Sequence, residues 1–293
     1  MKKLIKKLAL ITTIFAASLF ILPACSTNVI RYEKYANADL YTVGSASISA
    51  SEVNKIEIDW VNGNVEIEQT SSNTLQVIEE KSAESEKERM RYYLDGNVLK
   101  VKYCESGLRG DINVQNKNLR VELPAGIALD IDCVAASVTI GVMEVKELSL
   151  ESVSGSVTAE RIVCDEAEFE TVSGKISVGE LIGKSLSIDS VSGDVSLTRL
   201  SVGALEAETV SGNLSFCVQQ ALTAEVESTS GNVTFTLGNG LGATVRLETA
   251  TGKFNTEKKH GKTGSRYDVY GADGASTECM IEVDVFSGNV YIK

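Results

Sequence analysis

The sequence predicts an all-β chain wound into a parallel β-solenoid of about 19 residues per coil, behind an irregular, strand-rich N-terminal cap. Three observations carry that prediction. A small residue followed by Gly recurs at Ser154-Gly155, Ser173-Gly174, Ser192-Gly193, Ser211-Gly212 and Ser230-Gly231, 19 residues apart each time. Apolar residues occupy alternate positions on both sides of each pair, the pattern of half-buried strands. Two short strands cannot bury their own apolar face, whereas stacked copies bury it against one another.

Taking the chain from its start, Lys2, Lys3, Lys6 and Lys7 precede an apolar run of 15 residues, Leu8 to Leu22. A membrane span needs ~20 residues, so this run has signal-peptide length. It ends in Leu22-Pro23-Ala24-Cys25, which resembles a bacterial lipobox. Residues 1–24 are therefore expected to be a cleaved lipoprotein signal, with Cys25 carrying lipid and anchoring the chain outside the cytoplasm on the cell membrane. Diacylglycerol plus an N-acyl chain supplies the several lipid chains that stable anchoring needs. Cleavage removes four lysines and leaves 24 basic against 40 acidic side chains, a net charge of −16. That balance argues against nucleic acid or bare anionic lipid as a partner. Residues 25–52 are small and polar and read as a tether.

Residues 53–128 alternate as strands, for example Ile56-Glu57-Ile58-Asp59-Trp60 and Val98-Leu99-Lys100-Val101, and are expected to form the N-terminal cap. Trp60-Val61-Asn62-Gly63-Asn64-Val65 looks like a divergent repeat bend. Residues 129–293 form the solenoid repeats and a closing coil. With the marker Gly as phase zero, phases −7 and −5 are apolar (Leu148 and Leu150; Leu186 and Ile188), as are +2 and +4 (Val157 and Ala159; Val195 and Leu197). Each unit thus holds two strands on either side of a bend, where Gly is expected to supply a positive φ. Met143, Ile162, Leu181 and Leu200, at +7, suggest a third wall. Cys133, Ser152, Thr171, Ser190, Thr209, Ser228 and Thr249, at −3, suggest a ladder of small polar residues with hydroxyls bonded up and down the stack. Parallel crossovers favour a right-handed winding. Glu257 to Gly264 reads as a basic loop, and Ile281 to Ile292 as a last strand–bend–strand unit at the edge of the stack.

Cys104, Cys133, Cys164, Cys217 and Cys279 are odd in number and lack metal-type spacing, so they read as isolated buried thiols, with one or two disulfides the other possibility.

The bend Val61-Asn62-Gly63-Asn64-Val65, the segment Leu119-Arg120-Val121-Glu122-Leu123-Pro124-Ala125-Gly126, the Val-Ser-Gly series and the terminal Ser287-Gly288-Asn289-Val290 together resemble the bacterial DUF4097, or “putative adhesin”, family over about residues 53–293. That resemblance implies an envelope-facing β-solenoid, found in some bacteria near envelope-stress genes, and no catalytic residues.

One chemical pattern repeats. Asp132, Glu151, Glu170, Asp189, Glu208, Glu227 and Glu248 all stand four before the marker phase, forming an acidic ladder on one outer face. Like charges one strand apart repel by about 1 kcal/mol per pair in water. Three readings follow: a solvated face that discourages aggregation, capture of Ca²⁺ or Mg²⁺ between carboxylates (candidates Glu151, Glu170, Asp189, Glu208 and Glu227), or attraction of a basic partner.

Catalysis has little support. His260 is the single histidine and sits in the basic loop, so a Ser-His-Asp system would rest on it alone. Gly261-Lys262-Thr263 lacks the first Gly of a phosphate loop, since Thr256 stands there. A polysaccharide-cleaving activity, as in some β-helix enzymes, is the remote alternative; the carboxylates are spread rather than gathered. No catalytic residue and no cofactor is assigned. The expected function is a non-catalytic surface lipoprotein presenting a rigid solenoid for adhesion or ligand binding, its partner an envelope protein, a glycan or a cationic peptide. The alternative is an envelope-stress accessory protein that captures cations or cationic peptides through the acidic ladder.

Overall fold

The computed structural model describes residues 30–80, 85–110, 117–271 and 278–293. The chain is a parallel β-solenoid of two facing sheets, of 14 and 12 strands. The first sheet carries the strand before each bend, such as Glu147–Ser152, Glu166–Thr171 and Ser185–Ser190. The second carries the strand after it, such as Val157–Val163, Ile176–Ile182 and Val195–Ser201. Residues 19 apart pair in parallel along both sheets, Leu150 with Phe169 and Phe169 with Ile188. The predicted apolar phases fill the space between the sheets, and Leu150, Phe169, Ile176, Phe216 and Phe235 are fully buried.

The stack begins before residue 129. Lys55–Trp60 pairs in parallel with Ala128–Cys133, and Gly63–Gln69 with Ser137–Glu144. The first part of the expected cap is therefore a coil in register with the rest. Beyond it, Val98–Lys102 and Lys117–Leu123 add one more parallel strand to each sheet, and antiparallel strands then cover both edges. Covered edges cannot recruit further strands. The expected tether is also shorter than 25–52. Ile30–Arg31 pairs with Arg109–Gly110, and Tyr32 is only 7% exposed. The aromatic rings of Tyr32 and Tyr35 give this stretch apolar area worth burying. Residues 1–24 and Cys25 lie outside the described residues.

Three local expectations are corrected. The repeat glycines 155, 174, 193, 212 and 231 do not adopt positive φ; among the bend glycines only Gly63 does, at +101°. Their role is close stacking. A Cβ on Gly212 would overlap the carbonyl oxygen of Gly193 and stand 2.9 Å from its carbon. Ala136, in the same phase, sits above Gly63, whose left-handed backbone differs from that of the other bends. Second, the residues at +7 do not form a third wall. The pairing skips one position, Gly141 beside Glu160, so the alternation resets and Met143 and Ile162 turn inward on the same strand as Ile140 and Ala159. Third, the buried hydroxyls do not bond along the stack. Ser152, Thr171, Ser190, Thr209 and Ser228 each donate to the carbonyl three residues ahead, at 2.8, 3.1, 2.6, 3.2 and 2.9 Å. The marker serines make the inter-coil bonds instead: Ser192 Oγ donates to the Val172 carbonyl at 2.9 Å. Ser190→Ala is expected to cost about 1 kcal/mol, because the Gly193 carbonyl loses a buried donor. Ser192→Ala, whose site is open to water, should cost less, and urea midpoints of the two variants check the order.

At the far end, the stretch read as a basic loop is a hairpin, His260–Thr263 against Arg266–Val269. It covers Ala243–Thr249, and Tyr267 stacks on Phe254 at 4.0 Å. The last strand–bend–strand unit is not at the edge. Cys279–Val285 lies between Thr223–Ser228 and Ala243–Thr249, and Val290–Ile292 between Val233–Leu237 and Phe254–Thr256. The more apolar coil takes the interior position, because it loses more by facing water.

Candidate functional site

The outer face of the first sheet carries the site. Parallel pairing in register brings the seven expected carboxylates into one column, and two more join it. In spatial order the column runs Asp59, Asp132, Glu151, Glu170, Asp189, Glu208, Glu227, Asp284, Glu248. Asp284 thus separates Glu227 from Glu248, which are consecutive in the repeat. Asp59 and Asp284 stand four before Gly63 and Gly288, so the spacing rule that finds the other seven finds these also. Neighbours are one strand spacing apart, about 4.8 Å.

A second column lies two residues upstream: Glu57, Asp130, Ser149, Glu168, Ser187, Glu206, Glu225, Glu282. Cations stand at the ends. Lys102 pairs with Asp59, and Lys55 with Asp130 at 2.7 Å. At the other end Arg246 reaches Glu248 at 3.1 Å and Glu282 at 3.6 Å. Between Asp130 and Glu282 every position in either column is Asp, Glu or Ser.

These carboxylates are crowded by the coils on either side and are half-buried for the most part. Burial, and then the charges of Asp130 and Asp132's other acidic neighbours, pushes the Asp132 carboxyl up to about 6. Burial with Asp132 and Glu170 on either side pushes Glu151 up to about 8. Burial with Asp189 and Glu168 pushes Glu170 up to about 7. Glu227 and Asp284 are raised for the same reasons. Glu170 Oε2 and Asp284 Oδ1 are buried without a hydrogen-bond partner, which disfavours the charged form. The column is a line, not a cage. Among the described residues, no group of three or more His, Cys, Asp or Glu side chains converges where it could hold a metal ion.

The column opens at its N-terminal end into a cavity of about 420 Å³. Its roof is residues 32–35, held along 104–108 by Tyr32 N–H donating to the Leu108 carbonyl at 3.0 Å and Tyr35 OH to the Cys104 carbonyl at 3.0 Å. Its walls combine Tyr32, Tyr35 and Trp60 with Glu33, Asp59, Lys102, Asp132 and Glu151. Lys102 Nζ also lies 5.8 Å from the Tyr35 ring centre. The sequence carries no local signal for this cavity, since its roof and floor are far apart in the chain.

Other residues considered for chemistry lie elsewhere. His260 is exposed on the end hairpin, beside Phe254 and Tyr267. Arg161 and Arg199 are on the second sheet and bracket Glu180, at 2.7 and 3.2 Å. Cys104, Cys133, Cys164, Cys217 and Cys279 are all free thiols.

The model of the family described as Toastrack DUF4097 matches residues 53–293. No curated protein matches the chain. Three similar solved structures are a “putative adhesin” from Bacteroides fragilis, a “putative lipid binding protein” from Parabacteroides distasonis and a “putative cell adhesion protein” from Clostridium sporogenes. They are 13%, 14% and 15% identical, with TM-scores of 0.48, 0.48 and 0.25. The alignments cover 86%, 85% and 86% of this chain and 97%, 96% and 99% of theirs.

Proposed function

This chain belongs to the Toastrack DUF4097 family, and on that premise we propose that it is a non-catalytic, adhesin-like lipoprotein of the bacterial envelope whose acidic face binds a basic partner. The observation that carries the proposal is the unbroken carboxylate column. Nine acidic side chains in register cost folding free energy through mutual repulsion. A cationic peptide or a basic patch on an envelope protein relieves that repulsion on binding and is drawn to the face over several ångströms. A rigid rod presents the face as a fixed row, one carboxylate per strand spacing.

Lipid on Cys25 is the proposed anchor. Five residue steps separate Cys25 from Ile30, a reach of at most ~18 Å. The cavity end of the solenoid therefore faces the membrane, and the hairpin end points away from it.

Titration with an oligolysine peptide at low salt tests the acidic face. The triple variant Glu170→Gln, Asp189→Gln, Glu208→Gln is expected to bind about tenfold more weakly or worse, a loss of roughly 1.4 kcal/mol. Equal affinity in both proteins removes the column from the account. Labelled palmitate tests the anchor separately: Cys25→Ala should abolish lipid incorporation and release the protein from the membrane fraction.

A further inference from the structure

One coil occupies a place that chain order does not assign it. After Val233–Leu237 the chain leaves the stack, builds the coil of Ala243–Thr249 and Phe254–Thr256 one step further out, and turns through the end hairpin. It then returns as Cys279–Val285 and Val290–Ile292 to fill the gap, parallel to its neighbours on both sides.

The inserted coil repeats the stacking devices of the internal coils, with Val285 in place of their buried hydroxyl. Ser287 Oγ donates to the Thr229 carbonyl at 3.2 Å, as the marker serines do. Gly288 packs on the Gly231 carbonyl, and Gly252 on that of Gly288. A ladder of side-chain amides runs through it: Asn232 N–H to Asn213 Oδ1, Asn289 N–H to Asn232 Oδ1, and Lys253 N–H to Asn289 Oδ1, at 3.2, 3.0 and 3.2 Å. Its core side chains Ile281, Val283, Val285, Val290 and Ile292 are buried, where the outer coil has Thr249 and Thr256 in two of the same phases. The slot therefore recognises a short strand–bend–strand segment through contacts that are identical whichever copy of the chain supplies it. Without the segment, four strand edges would be bare, two facing each other in each sheet, and bare edges recruit strands.

We propose that residues 279–292 exchange between two copies of this chain, each filling the slot of the other. The product is a symmetric dimer joined at the ends remote from the proposed anchor, made without any new type of contact. Tyr270 N–H still donates to the Lys259 carbonyl and Gly271 packs on Gly240; seven residues then separate Gly271 from Cys279, and a chain of that length reaches at most ~25 Å.

The test uses two differently tagged full-length chains with Cys25 and Cys217 replaced by Ser. One carries Thr223→Cys and the other Met280→Cys. Thr223 and Met280 are direct partners across the junction, and both are exposed, Met280 at 61%, so neither change disturbs the core. Neighbouring parallel strands stand at a separation a disulfide can span. The chains are mixed, unfolded, refolded together and oxidised. Exchange predicts a disulfide dimer bearing both tags, in about tenfold or greater excess over a control pair in which Ser173→Cys replaces Thr223→Cys. Ser173 is exposed on a bend remote from the slot in the stack. Equal yields from the two pairs would show random collision and overturn the proposal. So would the absence of mixed dimer while a single chain carrying both substitutions closes its own disulfide.

Discussion

Gly212→Ala is expected to be among the most damaging single-methyl changes this chain can receive, at about 3 kcal/mol. The new Cβ would overlap the Gly193 carbonyl oxygen and lie 3.1 Å from Thr209 Oγ1. The backbone carbonyl cannot withdraw. The Gly193 carbonyl accepts the Ser190 hydroxyl at 2.6 Å, and the bend is tied to the coil below by Ser211 N–H donating to the Val191 carbonyl at 2.9 Å. The coils must therefore separate at that corner, and the strain passes to both sheets. For a chain of this size the loss corresponds to a fall of roughly 6–12 °C in the midpoint of thermal unfolding. Gly240→Ala is the control. Gly240 has φ +82° with nothing within 4 Å of a built Cβ, so its cost is the left-handed backbone alone, about 1 kcal/mol. A Gly212→Ala midpoint no lower than that of Gly240→Ala would mean that stacking distance does not fix the glycine.

The second large effect is a rise in stability as pH falls from 8.5 to 5. Asp132, Glu151 and Glu170 have folded values of about 6, 8 and 7, above those of free carboxylates. The folded state therefore holds more protons than the unfolded chain across this range. The stabilisation from protonating the column is complete below the unfolded values, near 4. It is lost as pH rises through about 6, 7 and 8 in turn. Glu57, Asp130, Glu168 and Asp189 add repulsion, while Lys102 and Lys55 oppose it at Asp132. Solvent screening at these half-exposed groups reduces the combined effect to about 2 kcal/mol, or roughly 4–8 °C. Added salt should flatten the dependence, and Glu151→Gln with Glu170→Gln should remove most of it. A midpoint that stays level or climbs between pH 5 and 8.5 would contradict this account. The same titration tunes the proposed binding face, because a protonated column attracts a basic partner less.

Most of the site is legible in the sequence because a constant period converts position in the chain into position on a surface. Residues 19 apart stand one strand spacing apart, so the acids four before each Gly form a column as soon as the coils are parallel. Asp59 and Asp284 obey the same rule at the two divergent bends. The reading goes wrong where a residue has two possible physical roles. Gly serves at a bend either for its φ or for its missing Cβ, and only the distance to the next coil distinguishes them. A buried hydroxyl can bond along the stack or forward in its own coil, and the forward carbonyl is closer. Tyr32 and Tyr35 look like parts of a tether until their contacts with residues 104–108 are known.

By itself the sequence determined the solenoid, its period, its buried phases and its acidic face, since each depends on local periodicity repeated many times. Only the tertiary structure decided the order of the last two coils and the cavity at the first. Both depend on competition between segments distant in the chain. The coil of 279–292 displaces that of 243–256 from the interior because it buries more apolar surface there, and residues 32–35 roof the column because their rings find partners some 70 positions away.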